Sequence, residues 1–310
     1  MLSARAGWHT DQLARALDER GHRGVVLPYE SLVARLGAAP AGERARLSAQ
    51  REARPGEELL AADAVLARII PAGSLEQIIY RVDALHWLED AGVPVVNSPR
   101  AIERTVDKFY TSALLQRAGL RTPETVVCER PEDALAAFRE LGCDAIVKPL
   151  FGSMGLGMVR VSDEETAWRV ARALDAIRGV YYLQRPIDHG GRDVRAFVVG
   201  GRVVGAIERE SREPGGWRTN VSRGGRARAI AELPAEWADA AVRAAAAVGA
   251  DYAGVDLLPE RGTGTLYVLE VNGIPGWRGL QEATGLDVSA LLVRHLEQVV
   301  APGAPPRDGR

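Results

Sequence analysis

With 310 residues, 46% of them hydrophobic and 26% charged, the chain has the make-up of an ordinary globular protein with room for two or three domains. A formal net charge of -2 gives no reason to expect nucleic acid or a membrane surface as partner. No apolar run is long enough to span a bilayer, no signal pattern opens the chain, and the two cysteines, Cys128 and Cys143, have neither zinc-type spacing nor a disulfide framework, so a cytoplasmic setting is expected.

In chain order, Leu13, Ala14, Ala16 and Leu17 set a helical period from Thr10 to Arg20, closed by Gly21, and Val25 to Pro28 reads as a short strand. A polar span rich in Ala, Arg and Gly follows. Ala64 to Ile70 then reads as a strand, Tyr80 to Asp90 as a helix and Val93 to Asn97 as a strand, an alternation that points to a small parallel α/β domain. Its first strand must fit within Met1 to Gly7 or lie upstream. Ser98-Pro99 marks a turn and a boundary. Arg100 to Ala118 reads as one helix carrying Asp107-Lys108, and Pro131 to Leu141 as another. Ala145 to Pro149 is a strand running into a loop with Gly152, Gly155 and Gly157, then a second strand through Val161; such a loop lets backbone N–H groups approach an anion closely.

Glu164 to Arg178 reads as an amphipathic helix and Val180 to Ile187 as a strand ending at a proline. Arg192 to Arg209 is a hairpin with a Gly-Gly turn, with Asp193 and Arg195 on one face. The Gly-, Arg- and Ser-rich stretch from Arg212 to Gly225 is too long and polar to be mere connection. Pro234 to Val248 is an Ala-rich helix, Gly276 to Thr284 a loop, Val288 to Val299 a last helix, and Ala301 to Arg310 a flexible tail.

Two strands before that loop carry the most chemistry. Asp256 interrupts the apolar run Gly254 to Leu258, and Glu270 and Asn272 lie two apart in Leu266 to Asn272, hence on one face. A buried acid in a sheet needs a partner or a cation, and three hard oxygen donors suit Mg²⁺ bound to substrate phosphates; a hairpin with its polar residues in solvent is the alternative. Lysine is so scarce that Lys108 and Lys148 stand out, and the apolar neighbours of Lys148 place its stem in a partly buried strand where an ammonium needs an anion.

Together, Asp107-Lys108, Val147-Lys148, the loop from Gly152 to Gly157, Asp193-Val194-Arg195, Arg218-Thr219-Asn220, Arg223-Gly224-Gly225, Ala253 to Leu257, Glu270-Val271-Asn272 and Glu282 to Gly285 resemble the ATP-grasp superfamily, and within it the ribosomal-protein glutamate ligase (RimK-type) branch. The resemblance implies an α/β chain in which two α+β subdomains clamp ATP behind a small parallel α/β domain, divided at 1–98, 99–182, 183–300 and a tail 301–310. It implies ATP with one or two Mg²⁺ ions, Mn²⁺ being an alternative, held by Asp256, Glu270 and Asn272. Nucleotide contacts fall to Lys108, Lys148, Gly152, Ser153, Met154, Gly155, Gly157, Gln184, Arg185, Pro186, Ile187, Asp193 and Arg218. Arg185 departs from the acidic residue usual after the glutamine, which weakens a side-chain role there.

The chemistry so implied is a carboxylate–amine ligation through an acyl phosphate, with Arg195, Arg209 and Asn220 as donors to the tetrahedral oxyanion. Arg218, Arg223 and Arg278 with Trp217 and Trp277 crowd the acceptor side, which suits glutamate as the amino acid. The acceptor is a small-molecule or peptidyl carboxylate, one with a flat ring being able to stack on Trp277. Related enzymes lead one to expect a homo-oligomer. Ligation of another amino acid, of the D-alanine or lysine-biosynthesis type, and a non-catalytic ATP-binding regulator are the other readings.

Overall fold

The computed structural model describes residues 1–37, 45–50, 56–152, 155–211 and 226–301. The N-terminal unit begins with β1 (Leu2–Ser3), α1 (Trp8–Asp18), β2 (Leu27–Pro28), β3 (Val33–Arg35), β4 (Arg46–Ala49) and β5 (Glu57–Glu58). It continues through β6 (Val65–Leu66), α2 (Leu75–Asp90) and β7 (Val95–Val96). β1 pairs with β2 and β6 with β7, both parallel, and a parallel bridge between Leu2 and Ala67 joins the two pairs, giving the spatial order β2-β1-β6-β7. The expected parallel unit therefore forms, with its first strand inside the first few residues. β3, β4 and β5 make an antiparallel sheet in the span read from sequence as featureless; its strands are too short and too polar to show a period.

Next come α3 (Pro99–Val106), α4 (Lys108–Arg117), β8 (Thr125–Cys128), α5 (Pro131–Glu140), β9 (Ala145–Lys148), β10 (Val159–Val161), α6 (Glu164–Ala176) and β11 (Tyr181–Gln184). The single helix expected from Arg100 to Ala118 is two, because Asp107 leaves helical geometry (ψ 104°) and its carboxylate caps the second by accepting from the Tyr110 N–H at 3.0 Å. That break places Lys108 in a first helical turn. β8 to β11 form an antiparallel sheet in the order β10-β9-β11-β8, backed by α5 and α6 through Phe138, Val147, Val161, Ala171 and Tyr181.

The last part is β12 (Arg192–Val199), β13 (Arg202–Glu210), β14 (Arg226–Ile230), α7 (Ala235–Val248), β15 (Tyr252–Pro259), β16 (Leu266–Asn272), α8 (Arg278–Thr284) and α9 (Val288–Val300). Its five-stranded antiparallel sheet runs β14-β13-β12-β15-β16. The stretch from Gly276, expected as a loop, contains α8; Gly276 and Gly279 had masked a helical turn held by the Gln281 N–H to Trp277 carbonyl bond.

Strand alternation gives the two faces of this sheet different tasks. Val194, Ala196, Val198, Ala253, Val255 and Leu257 pack on α7 and on Leu114, Leu115 and Leu120 around α4. On the opposite face Phe197, Val199 and Tyr252 join Leu13, Leu17, Trp277, Leu292 and Val293 in a core that fuses the N-terminal helix α1 to α9. Farther along that same face the side chains turn polar, and there the candidate site lies.

Candidate active site

The site is built on the register of three neighbouring strands. Arg195 on β12 pairs with Asp256 on β15, which pairs in turn with Glu270 on β16, so the three side chains form one cross-strand row. A register shift after Asp256 sets Leu257 opposite Val268 and leaves Leu269 as an extra residue on β16. In the next row Gly254 faces Asn272. A Cβ on Gly254 would lie 3.0 Å from Pro275 Cβ and 3.4 Å from Arg195 Cδ, so the bare backbone leaves room for the arginine.

Charges in this row are tightly paired. Arg195 grips Asp256 with two parallel bonds, Nε to Oδ1 at 2.6 Å and Nη2 to Oδ2 at 2.7 Å. Arg209 does the same to Asp193, both bonds at 2.6 Å, and its Nη2 also lies 3.1 Å from Asp256 Oδ2. Asp193, Arg209 and Asp256 are all buried. Burial by itself would raise the Asp256 pKa, but Arg195 and Arg209 hold it well below the usual carboxylate range. Burial likewise opposes charge on Arg209, and Asp256 with Asp193 overrides it, so that the guanidinium is held more firmly protonated than usual.

Glu270 differs. Its Oε1 lies 3.9 Å from Arg195 Nη2 and accepts from Asn272 Nδ2 at 3.1 Å. Its side chain keeps 36% of its surface exposed, yet desolvation and the neighbouring Asp256, to which it is also hydrogen-bonded, push its pKa up, Arg195 only partly offsetting them.

Across from this row stand the only two lysines of the chain. Lys148, buried at the end of β9, donates to Gln184 Oε1 on β11, and the Gln184 amide in turn donates to Thr125 Oγ1 at 2.9 Å and to Tyr182 Oη at 3.2 Å. Burial lowers the Lys148 pKa to about 8, opposed by Glu270 and reinforced by Lys108. Lys108 donates from Nζ to the carbonyls of Gly152, at 2.9 Å, and Leu150, at 3.4 Å, and burial lowers its pKa against the pull of Glu270. Both lysines thus feel Glu270 from the other sheet, and Lys108 anchors the start of the glycine loop. Gly152, Gly155 and Gly157 all have positive φ (130°, 65° and 74°), and a Cβ on Gly157 would meet Pro149 Cγ at 2.8 Å.

Several expectations change. Arg209, read as an oxyanion donor, is enclosed between two carboxylates and acts as their counter-ion. Asp193, read as facing the nucleotide, is buried and pairs with Arg209 across the sheet. Arg195 stands at the cleft, but with its donors on Asp256. Gln184 points into the site through its side chain, whereas Arg185 is exposed, its guanidinium 3.7 Å from Glu124 and its N–H bonded to the Glu124 carbonyl. Pro186 and Ile187 follow, Ile187 buried. Ser153, Met154, Trp217, Arg218, Asn220 and Arg223 lie outside the described residues.

Trp277 offers no stacking surface: it is fully buried, with the guanidinium of Arg68 over its ring at 4.7 Å and His9 edge-on at 4.6 Å. Arg278 is exposed and paired with Glu282 at 2.8 Å. Sequence reasoning passed over Asn97 and Arg68, both buried behind the site. Arg68 interrupts an apolar run, the same signal that singled out Asp256, and Asn97 closes one.

A hard divalent cation suits the donors at the β16 end. Among the described residues Glu270 has no guanidinium in hydrogen-bonding contact, the nearest nitrogen of Arg195 lying 3.9 Å away, and Asn272 sets an amide beside it. Asp256 fits less directly, since both its oxygens already accept from guanidinium groups. Among the described residues no three acidic, histidine or cysteine side chains form a ready cage, and Mg²⁺ typically relies on one or two carboxylates plus phosphate and water.

Two lysines beside a glycine loop, facing carboxylates on a second antiparallel sheet, define a nucleotide-dependent ligase of the ATP-grasp class. A family model described as the RimK-like ATP-grasp domain matches residues 105–296, and the chain belongs to that family. It is 38% identical over 274 residues to the tetrahydromethanopterin:alpha-L-glutamate ligase of Methanosarcina acetivorans, covering 80% of this chain and 84% of that protein. It is 33% identical over 297 residues to a probable alpha-L-glutamate ligase of Aliivibrio fischeri, covering 95% and 93%. Among solved structures, the ATP-grasp ligase PsnB complexed with its minimal precursor matches with a TM-score of 0.70 at 25% identity over 95% of this chain and 96% of that one. A RimK domain protein from Sphaerobacter thermophilus shares the fold at a TM-score of 0.70 and 22% identity, covering 95% and 98%. The chain is an ATP-grasp ligase, and ATP-dependent amide-bond formation is its activity.

Proposed function

We propose that the protein joins the amine of glutamate to a carboxylate on a small molecule or peptide, using Mg-ATP and working in the cytoplasm. The observation that carries this reading is the placement of both lysines beside the glycine loop, Lys108 bonded to its first carbonyls and Lys148 at the end of the strand that leads into it, within electrostatic reach of Glu270. Lys148 and Lys108 would meet the nucleotide phosphates, Gly152, Gly155 and Gly157 would let backbone N–H groups approach them, and the segment from Gln184 to Ile187 would border the base. Glu270 and Asn272 would hold Mg²⁺, or Mn²⁺ in its place, with Asp256 behind them. Such an ion neutralises phosphate charge that otherwise repels an incoming carboxylate.

The acceptor carboxylate then attacks the γ-phosphorus, ADP departs, and the glutamate amine displaces phosphate from the acyl phosphate. Arg195 belongs to the row beside which oxyanion charge would develop and is the described donor best placed to meet it. In this reading the chain divides at 1–98, 99–182 and 183–300. Glutamate as donor is supported by the alpha-L-glutamate ligases among its relatives, and a peptide acceptor by PsnB, which was solved with a precursor peptide, Mg and ADP.

The test is ADP and phosphate release on adding glutamate to a panel of carboxylate acceptors, including reduced pterin cofactors and acidic peptides, with mass spectrometry for a glutamyl adduct. Glutamate-dependent adduct formation is expected. ADP release with every acceptor but no gain of glutamate would overturn the donor assignment.

A further inference from the structure

We infer that the N-terminal unit is a platform that positions the metal-binding strand, with Asn97 as its principal positioning residue. This rests on reading Glu270 and Asn272 as ligands of a divalent cation. In open α/β sheets the crevice beyond the carboxyl ends of parallel strands is where a ligand binds. Here the residues following β1, β6 and β7 all reach into one segment of the chain itself, 273–277, immediately after β16.

After β6, Arg68 stacks on Trp277 and donates to Tyr252 Oη at 3.0 Å and to the Pro275 carbonyl at 3.3 Å. At the head of α1, His9 Nε2 accepts from the Trp277 N–H at 3.2 Å. After β7, Asn97 is fully buried and uses its whole amide. Its Oδ1 accepts from the N–H groups of Asp251, at 2.7 Å, and Tyr252, at 3.1 Å; its Nδ2 donates to the carbonyls of Tyr252, at 2.8 Å, and Gly273. One side chain thereby ties the start of β15 to the residue next to Asn272. On the other side of Gly273 stands Thr105 of α3, so close that a Cβ at position 273 would collide with its Oγ1. Asn272 is thus located by a backbone held between Asn97 and Thr105, and displacing either support moves a ligand without touching it.

The consequence is read by titrating the full-length protein with Mn²⁺ in the presence of ADP, following free Mn²⁺ by electron paramagnetic resonance. Asn97→Asp keeps the acceptor and loses the donor, setting a carboxylate against two carbonyls; Gly273→Ala perturbs the same point from the Thr105 side with Asn97 intact. Each variant, checked for folding by circular dichroism, should bind Mn²⁺ about tenfold more weakly, as loss of an outer support for a metal ligand typically does. ADP affinity in EDTA, which depends on the lysine side, should stay at the wild-type value, a split that general destabilisation would not produce. Folded variants within about twofold of wild type for Mn²⁺, or parallel losses of Mn²⁺ and ADP affinity, would overturn the inference. A wild-type protein that binds ADP but no Mn²⁺ would overturn the metal reading and the inference with it.

Discussion

The two acids of the central row, Asp256 and Glu270, sit opposite each other on adjacent strands, yet their surroundings have little in common. Asp256 is enclosed by two arginines, and with Asp193 the cluster contains two carboxylates and two guanidinium groups. Among the described residues Glu270 has a long contact to one arginine already committed elsewhere, an amide, and a hydrogen bond to Asp256 itself, but no guanidinium of its own. Among the described residues the acids of the first region are met by guanidinium groups; the second faces two lysines, and burial disfavours the charge of all three groups. A buried network that balances internally holds a sheet in shape, while one that balances only when a ligand arrives binds that ligand. Position in the row is the same, and the counter-ions decide the role.

The largest expected effect breaks the balanced half. Asp256→Ala leaves Arg195 and Arg209 without their shared carboxylate, and stripping one partner from a buried ion pair costs about 3–5 kcal/mol. Chemical denaturation should register a loss of that size. Lost turnover in this variant would therefore report folding as much as chemistry, and a variant as stable as wild type would show that the cluster is not the fastening described.

Glu270→Gln probes the other half with the opposite signature. A carboxyl whose folded pKa is raised contributes its stability below the unfolded pKa and loses it as pH rises through the folded one, so ionising this side chain costs the ligand-free protein stability. The glutamine variant should melt at the wild-type temperature or higher at pH 7, with the advantage shrinking in acid. Its turnover should nonetheless fall by about a hundredfold, the scale of removing one preorganised electrostatic group. A Glu270→Gln protein that is both unstable and active would reverse the comparison.

Much of this contrast was legible in the sequence, and the part that was not follows from distance along the chain. Asp256, Glu270, Asn272, Lys108 and Lys148 announce themselves as polar residues in apolar runs or as rarities in an Arg-rich chain. Which arginine serves which acid depends on strand register: Asp193 lies beside Arg192 and Arg195 in sequence but pairs across the sheet with Arg209. Trp277 misled for a related reason. Flanked by Gly276 and Gly279 it reads as a loop residue open to an acceptor, and only the packing of α1 and Arg68 from the far end of the chain buries it. The helix break at Asp107 could have been read locally, since an aspartate followed three residues later by an N–H needing an acceptor is an N-cap. Strands as short as β1 carry too few residues for a period to emerge.

The smallest effect tests whether the lysine side is waiting for an anion. Burial holds Lys148 at about 8, against the pull of Glu270 and with the push of Lys108. Phosphate favours the ammonium, so nucleotide binding should raise this pKa and take up a proton wherever the free protein has lost one. Affinity is then flat below pH 8 and declines as pH rises above it, approaching about tenfold per pH unit for one linked proton. Calorimetric ADP binding between pH 7 and 9, repeated in buffers of different ionisation enthalpy, measures both the decline and the proton uptake. Lys148→Met should bind more weakly and lose both. A wild-type profile that stays level through pH 9 would mean that Lys148 keeps its proton without the nucleotide. The charge of Glu270 would then be compensated within the protein, as that of Asp256 is, and the two halves of the row would differ less than their hydrogen bonds imply.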